Sequence, residues 1–502
     1  MEAVKKFTFV GFTVVLAAWL TSGCAVGPNF KRPAAPTVGD YTGGPQPATV
    51  ATTNVVGGEA QRFAAGVDLP GDWWALFHSQ ALNALIEQSL SNNPDLKAAQ
   101  AALSVARENV LAQRGVFFPS VTAGFSASRQ KQSELIAPAL NYPVVPSQFQ
   151  YNLFTPEVSV AYSPDVFGGN RRTLESLKAQ AEGVRYQMIA AYTTLTANVV
   201  VTAIQEGAVR MQIDATRQLI DLNSNMVQIL RYQVTKGYAS RLDLLAQESQ
   251  LAQIVALLPP LLKQSAQLRD LLAVLAGRFP GQTSPEPFEL ASLKLPADLP
   301  LSLPSQLVAQ RPDVRQAEAN LHAVSAQIGV AVANRLPNIT LTANAGSTAI
   351  ALDKVFTSGT GFWGLGAAAM APLLDGGTLL HQERAARAAF KQAAEQYRST
   401  VLTAFQNVAD TLAALEQDAE ALRAAADAAA DAQATLDLSK RQWQDGYIGF
   451  LTLLSAEQAY QQARINLVQA QANRYSDTAA LFQALGGGWW HRADFNSKDN
   501  HE

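Results

Sequence analysis

Cysteine occurs once in 502 residues, histidine five times, and charged residues make up only 16% of the chain. A single cysteine, Cys24, excludes an intramolecular disulfide. The histidines (His78, His322, His381, His491, His501) form no pair at metal-ligand spacing, so no metal site is expected. A formal charge of −3 gives no reason to expect nucleic acid. The charged fraction falls below the roughly one quarter usual for a soluble domain. Ala, Gln, Leu and small polar residues replace it, a composition suited to large close-packed surfaces. No run reaches the roughly eighteen consecutive apolar residues of a spanning helix. Nucleophile elbow, phosphate loop and paired-carboxylate signatures are also missing, so neither catalysis nor a cofactor is expected.

What is present begins with Lys5-Lys6 and the apolar stretch FTFVGFTVVLAAWL, the length of a signal-peptide core. It ends in Thr21-Ser22-Gly23-Cys24. Small residues before a cysteine suit lipoprotein processing, although the preferred Leu three places upstream is Thr21, with Leu20 one further back. Residues 1–23 thus read as a signal peptide and Cys24 as the point of covalent lipid attachment, a diacylglycerol plus an N-acyl chain. Ala25 in place of Asp after the cysteine leans towards sorting to the outer membrane.

Internal repetition fixes the architecture. Asn93-Pro94-Asp95-Leu96-Lys97 aligns with Arg311-Pro312-Asp313-Val314-Arg315, and the match continues without a gap to Pro119 and Pro337. Ser163-Pro164 and Gly168-Gly169 match Ala371-Pro372 and Gly376-Gly377. Gly237-Tyr238 with Leu244-Leu245 and Glu248 matches Gly446-Tyr447 with Leu453-Leu454 and Glu457. The chain is a tandem duplication.

Each half has one plan. A helix (Pro94–Phe118, Pro312–Leu336) has proline in its first turn and again just past its end. Period-two segments at Val121–Ala127 and Ile339–Ala345 read as strands, with return strands at about Tyr151–Tyr162 and Gly361–Ala371. Long helices follow, Arg171 to about Lys236 and Thr378 to about Asp445, each roughly 100 Å at 1.5 Å per residue. Return helices, Arg241–Ala276 and Phe450–Leu485, leave from Gly-Tyr turns. First and return helices together nearly equal the long one, which predicts end-to-end stacking beside it. Pro259-Pro260 in the first return helix, where the second has Val468-Gln469, predicts a kink or break in the first half only.

The resulting divisions are a lipid-anchored extended segment (24–78), a first repeat (79–280, hairpin 120–163), a linker (281–302), a second repeat (303–488, hairpin 338–371) and a flexible tail (489–502). Within the N-terminal segment, Gly39–Gly66 reads as an extended linker along the helices or as disordered. Two hairpins give four strands, too few to enclose a pore, since even eight-stranded barrels are filled by side chains. If they span a bilayer with no edge unpaired, the chain must oligomerise, and three copies give room for a channel.

The stretches "LPGDWWALFHSQALNALIEQSLSNNPDLKAAQAAL" and "AQRPDVRQAEANLHAVSAQIGVAVANRLPNITLTANAG" resemble the two repeats of the outer membrane factors, the TolC-like exit ducts. "CAVGPNFKRP" resembles the nodulation-T branch, which serves resistance-nodulation-division efflux pumps. The resemblance implies a mainly α fold with a small transmembrane β part, in a homotrimer that builds a 12-stranded β-barrel in the outer membrane and a long α-helical barrel in the periplasm. It implies as partners outer-membrane lipid, a periplasmic adaptor (membrane fusion) protein and an inner-membrane proton-driven pump. The adaptor would dock at the Gly-Tyr turns: Gly237, Tyr238, Ala239, Ser240 and Gly446, Tyr447, Ile448, Gly449.

Relatives often carry gate aspartates six and nine residues after the second tip glycine, where this chain has Thr452 and Ser455. Asp243 is the acidic residue at a corresponding place in the first repeat. It reads either as a periplasmic gate, three copies ringing a narrow axis, or as an ordinary first-turn carboxylate of a helix. The function implied is the passive exit duct of a tripartite efflux pump for drugs or other small molecules. Two alternatives remain: the duct of a type I protein-secretion system, and a lipid-anchored coiled-coil scaffold without a pore.

Overall fold

A computed structural model describes residues 25–44, 46–131, 150–282 and 288–496. The expected signal peptide, Cys24 and residues 497–502 lie outside the described residues. The first half opens with strand β1 (Arg62–Ala65), a 3-10 turn at Trp73–Phe77 and helix α1 (Gln80–Asn92). Then come α2 (Pro94–Gly115), β2 (Ser120–Lys131), β3 (Gln150–Tyr162), α3 (Gly169–Thr235) and α4 (Arg241–Leu275). The second half runs β4 (Asp298–Leu301), α5 (Pro304–Gln310), α6 (Pro312–Ala333), β5 (Asn338–Ser347) and β6 (Gly361–Met370). It continues through α7 (Thr378–Gln444) and α8 (Phe450–Ala484) to the short α9 (Ala493–Asn496). Matched helices are equally long: 22 residues in α2 and α6, 67 in α3 and α7, 35 in α4 and α8.

Side-chain chemistry sets the helix ends. Asp165 accepts from the backbone N–H of Asn170 at 2.9 Å and of Arg171 at 2.8 Å, filling orphan donors at the start of α3. Asp375 does the same for Gly377 and Leu379 beside α7. The return and first helices meet end to end, as their lengths suggest. Asn93 Oδ1 caps α2 by accepting from Asp95 N and Leu96 N at 2.9 and 3.1 Å, while its amide donates to Leu275 O at 3.0 Å. At the equivalent splice Arg311 Nη1 donates to Ala484 O at 3.0 Å. Its Nε and Nη2 fork onto Asp313 at 3.0 and 2.7 Å. The Asn-Pro-Asp and Arg-Pro-Asp motifs are therefore the two joints.

Three expectations are corrected. Of the kink or break expected at Pro259-Pro260, the break does not occur: α4 is helical throughout Arg241–Leu275. Both prolines lie on an exposed stretch, so the carbonyls of Val255 and Ala256 that lose a donor are not shut away from solvent. Gly39–Gly66, read as an extended linker or as disordered, contains a paired strand. Its strand β1 pairs in parallel with β4, from Arg62 opposite Asp298 to Ala65 opposite Leu301. The tail's first eight residues are not loose either. Trp489 is buried and its indole Nε1 donates to Gln310 O at 2.6 Å, in an aromatic cluster with Tyr186.

The chain falls into two compact units. One comprises the described residues up to Arg32, with Ser104–Gly183 and Glu318–Gln396, and carries an antiparallel sheet in the order β2-β3-β5-β6. The other comprises Pro33–Leu103, Val184–Ala317 and the residues from Tyr397 onward. Its core includes the fully buried Trp73 and Phe77 with Phe482, at centroid distances of 5.5 and 6.3 Å. Burying each such aromatic side chain contributes about 2–3 kcal/mol.

Candidate membrane sheet and helical tips

Strand alternation sorts the sheet into two unlike faces. Register aligns Val121, Val160, Ala343 and Leu365 across all four strands, and then Ala123, Val158, Ala345 and Trp363. That face is apolar, yet Leu365 and Trp363 are each 77% exposed in the single chain. The opposite face aligns Thr122, Ser159, Asn344 and Gly364. Thr122 Oγ1 and Ser159 Oγ lie 2.7 Å apart, and Asn344 Nδ2 donates to Glu157 Oε1 at 3.0 Å. Strands of 10–13 residues with one apolar and one polar face match the requirement for a transmembrane barrel wall. Among the described residues, β2 and β6 each keep one unpaired edge.

The two Gly-Tyr turns share one geometry. Gly237 and Gly446 both take φ +77°, open to glycine and strained for other residues. Gly237 N donates to Val234 O at 3.1 Å and Tyr238 N to Gln233 O at 2.8 Å; Gly446 to Trp443 O and Tyr447 to Gln442 O repeat both distances. This is a Schellman motif, which satisfies the last carbonyls of a helix. It leaves Tyr238 and Tyr447 each 81% exposed. Ser240 and Gly449 are also exposed, while Ala239 and Ile448 are half-buried. Beneath them Met226, Leu230, Leu436, Phe450 and Leu453 form one cluster joining residues of α3, α7 and α8, with Ala239 packed on it.

Asp243 sits in a capping box. Its backbone N–H donates to Ser240 Oγ at 3.1 Å, and its Oδ2 accepts from Ser240 Oγ at 2.8 Å and Ser240 N at 3.3 Å. The second repeat has Gly449 at the corresponding cap and no side-chain bond there. Above the first tip Arg231 Nη2 meets Glu248 Oε1 at 2.7 Å, and Gln247 Nε2 donates to Asn223 Oδ1 at 2.7 Å. Sequence reading marked Glu248 only as part of the repeat, and its bond to Arg231 and the Asn223–Gln247 pair escaped it. Helix periodicity that assigns the apolar side leaves polar residues undifferentiated.

This arrangement is that of an outer-membrane channel protein. A model of the outer membrane efflux protein family matches residues 85–278 and again 303–487. The chain belongs to that family. It is 30% identical over 496 residues to the toluene efflux pump outer membrane protein TtgF of Pseudomonas putida, covering 93% of this chain and 95% of that one. It is 29% identical over 492 residues to the outer membrane protein OprJ of Pseudomonas aeruginosa, covering 95% and 96%. The solved outer-membrane channel OprN superposes with a TM-score of 0.80 at 26% identity, over 93% of this chain and 100% of that one. The fold is TolC-like, mainly α with a small transmembrane β part, and the chain is an outer-membrane exit duct of an efflux system.

Proposed function

We propose that three copies close their sheets edge to edge into a 12-stranded barrel and conduct small organic molecules passively out of the periplasm. The observation that carries this reading is the four-stranded sheet, apolar on one face and polar on the other, whose edges β2 and β6 are unpaired. In lipid an open edge leaves backbone groups unsatisfied at several kcal/mol each, and closure by identical copies removes both edges. Cys24 carries the lipid anchor. An adaptor protein docks on the tips through Tyr238, Ser240, Tyr447 and Gly449, linking the duct to an inner-membrane proton-driven pump. Relatives named for toluene and antibiotic efflux support drugs and solvents as cargo. The capping box accounts for Asp243 without a gate.

The test places a photo-crosslinking amino acid at Tyr447 in living cells and identifies the captured protein by mass spectrometry. Capture of the adaptor of a proton-driven drug pump is the expected result. The adaptor of a protein-exporting ATPase would move the assignment to type I secretion. Self-crosslinks alone would remove the tip as a docking site.

A further inference from the structure

The motif CAVGPNFKRP has an extended stretch, Ala25–Arg32, that belongs to no helix or strand yet is held from several sides. Arg172, in the first turn of α3 and 4% exposed, spends its guanidinium on it. Its Nε donates to Val26 O at 2.9 Å, and its Nη2 reaches Asn29 Oδ1 at 2.8 Å, Gly27 O at 3.3 Å and Ala25 O at 3.5 Å. The remaining nitrogen, Nη1, donates to Glu175 Oε2 at 2.7 Å. Glu175 Oε1 lies 2.9 Å from His322 Nε2, and the His322 ring stacks on Phe30 at a centroid distance of 4.4 Å. Arg32 Nε closes the row on Glu318 Oε1 at 2.9 Å.

Backbone shape completes the seat. Gly27 has φ +93°, and a Cβ on it would lie 2.4 Å from the Cα of Gly329. A Cβ on Gly329 would meet the Arg172 side chain and Val26 O, both at 2.7 Å. A Cβ on Gly168 would meet Ala25 Cα at 2.5 Å. Val26 N donates to Phe167 O at 3.0 Å. Three glycines, one buried arginine, a ring stack and one backbone bond converge on a segment outside any helix or strand.

We propose that Arg172, Glu175, His322, Glu318 and Gly329 form a binding site for the chain's own mature amino-terminal segment. By gripping Ala25–Arg32, the site ties the lipid-bearing end to the junction between β3 and α3. Cys24 is one peptide bond from Ala25, so acyl chains on it enter the membrane beside the barrel wall. This last step rests on the lipoprotein reading, whereas the site itself does not.

Lys31 is exposed and offers a trypsin site inside the seated segment. The experiment follows release of residues 24–31 from the purified full-length protein during limited trypsin digestion, by mass spectrometry. Wild type should release the peptide slowly and with its acyl chains. Arg172→Ala should speed release about tenfold, the factor for losing a bond from a charged donor that holds the segment down. The pair Asn29→Ala and Phe30→Ala, which alters only the segment, should do the same with the rest of the protein unchanged. Wild-type release rates in both variants would overturn the site. Accelerated release of a peptide without acyl chains would keep the site and overturn the lipoprotein reading.

Discussion

Arg311 is the most exposing test of the joint between repeated helices. In Arg311→Ala the carbonyl of Ala484 loses its charged donor and Asp313 loses its fork. Arg311 and Ala484 are both buried, so the first loss approaches the full cost of about 1.5–3 kcal/mol for a bond from a charged group. The Asp313 side chain is 42% exposed, which limits the ion pair to about 1 kcal/mol or less. Together they predict about 3 kcal/mol, or a fall in apparent Tm of about 3–5 °C for a chain of this size. Arg311→Asn should recover most of it, because Asn93 performs both duties at the first joint, capping α2 and donating to Leu275 O. The assay is thermal unfolding of the detergent-purified protein at one fixed scan rate, since such unfolding is often kinetically controlled. If the alanine variant melted within a degree of wild type, or asparagine did no better than alanine, Arg311 would not fasten the joint.

Two further outcomes follow from burial and backbone chemistry. Burial and the facing Asp477 carboxyl push Asp418 from 3.8 up to about 7. The folded chain then keeps a proton that the unfolded chain has released between about pH 4 and 7, so stability falls as pH rises through that window. Asp418→Asn should remove this dependence and gain about 1–2 kcal/mol at pH 8, after discounting for solvent screening. An equal loss between pH 5 and pH 8 in both proteins would refute it. Replacing Pro259 and Pro260 by alanine should restore two backbone donors to α4 and raise its stability by up to about 3 kcal/mol for each proline. Hydrogen exchange at Leu257–Lys263 reads this directly, and unchanged protection would count against it.

The duplicated plan was legible because two copies of one pattern reinforce each other. Alternation at Val121 alone is weak, but the same alternation after the same proline-bounded helix at Ile339 is not. The strands themselves run beyond the alternating cores, to Lys131 and Ser347, where side-chain pattern gives way to ladder geometry. Pro259-Pro260 does not break α4, because helix-breaking rules assume a buried backbone and here the freed carbonyls lie along an exposed stretch. β1 and β4 are four residues each and pair across more than two hundred positions, so no local pattern announces them. The tail after Gly488 is mostly polar, which suggested looseness, although two tryptophans after three glycines were a signal for anchoring. Arg172 gave no signal. An arginine in a charged first turn is commonplace until the backbone it grips comes into view.

The two return helices show how divergence between the repeats bears on assembly. In α8, fifteen residues are buried within the single chain, among them Phe450, Leu453, Leu467 and Phe482. In the equally long α4 only six are, and three of those, Gln247, Gln250 and Ser265, are polar. Yet α4 is not a polar helix. Leu242, Leu245, Val255, Leu262 and Val274 remain 43–71% exposed. A helix that leaves such apolar residues uncovered gains stability when a further surface buries them. The unpaired edges of β2 and β6 pose the same demand in a different chemical currency, hydrogen bonds instead of apolar area. The proposed closure by identical copies would answer both at once, by bringing the first repeat of one chain against the second repeat of the next. On this view the duplication supplies equal helix lengths, so that the tips end level. The divergence buries α8 within the chain and leaves the apolar side of α4 as the surface that the proposed closure would cover.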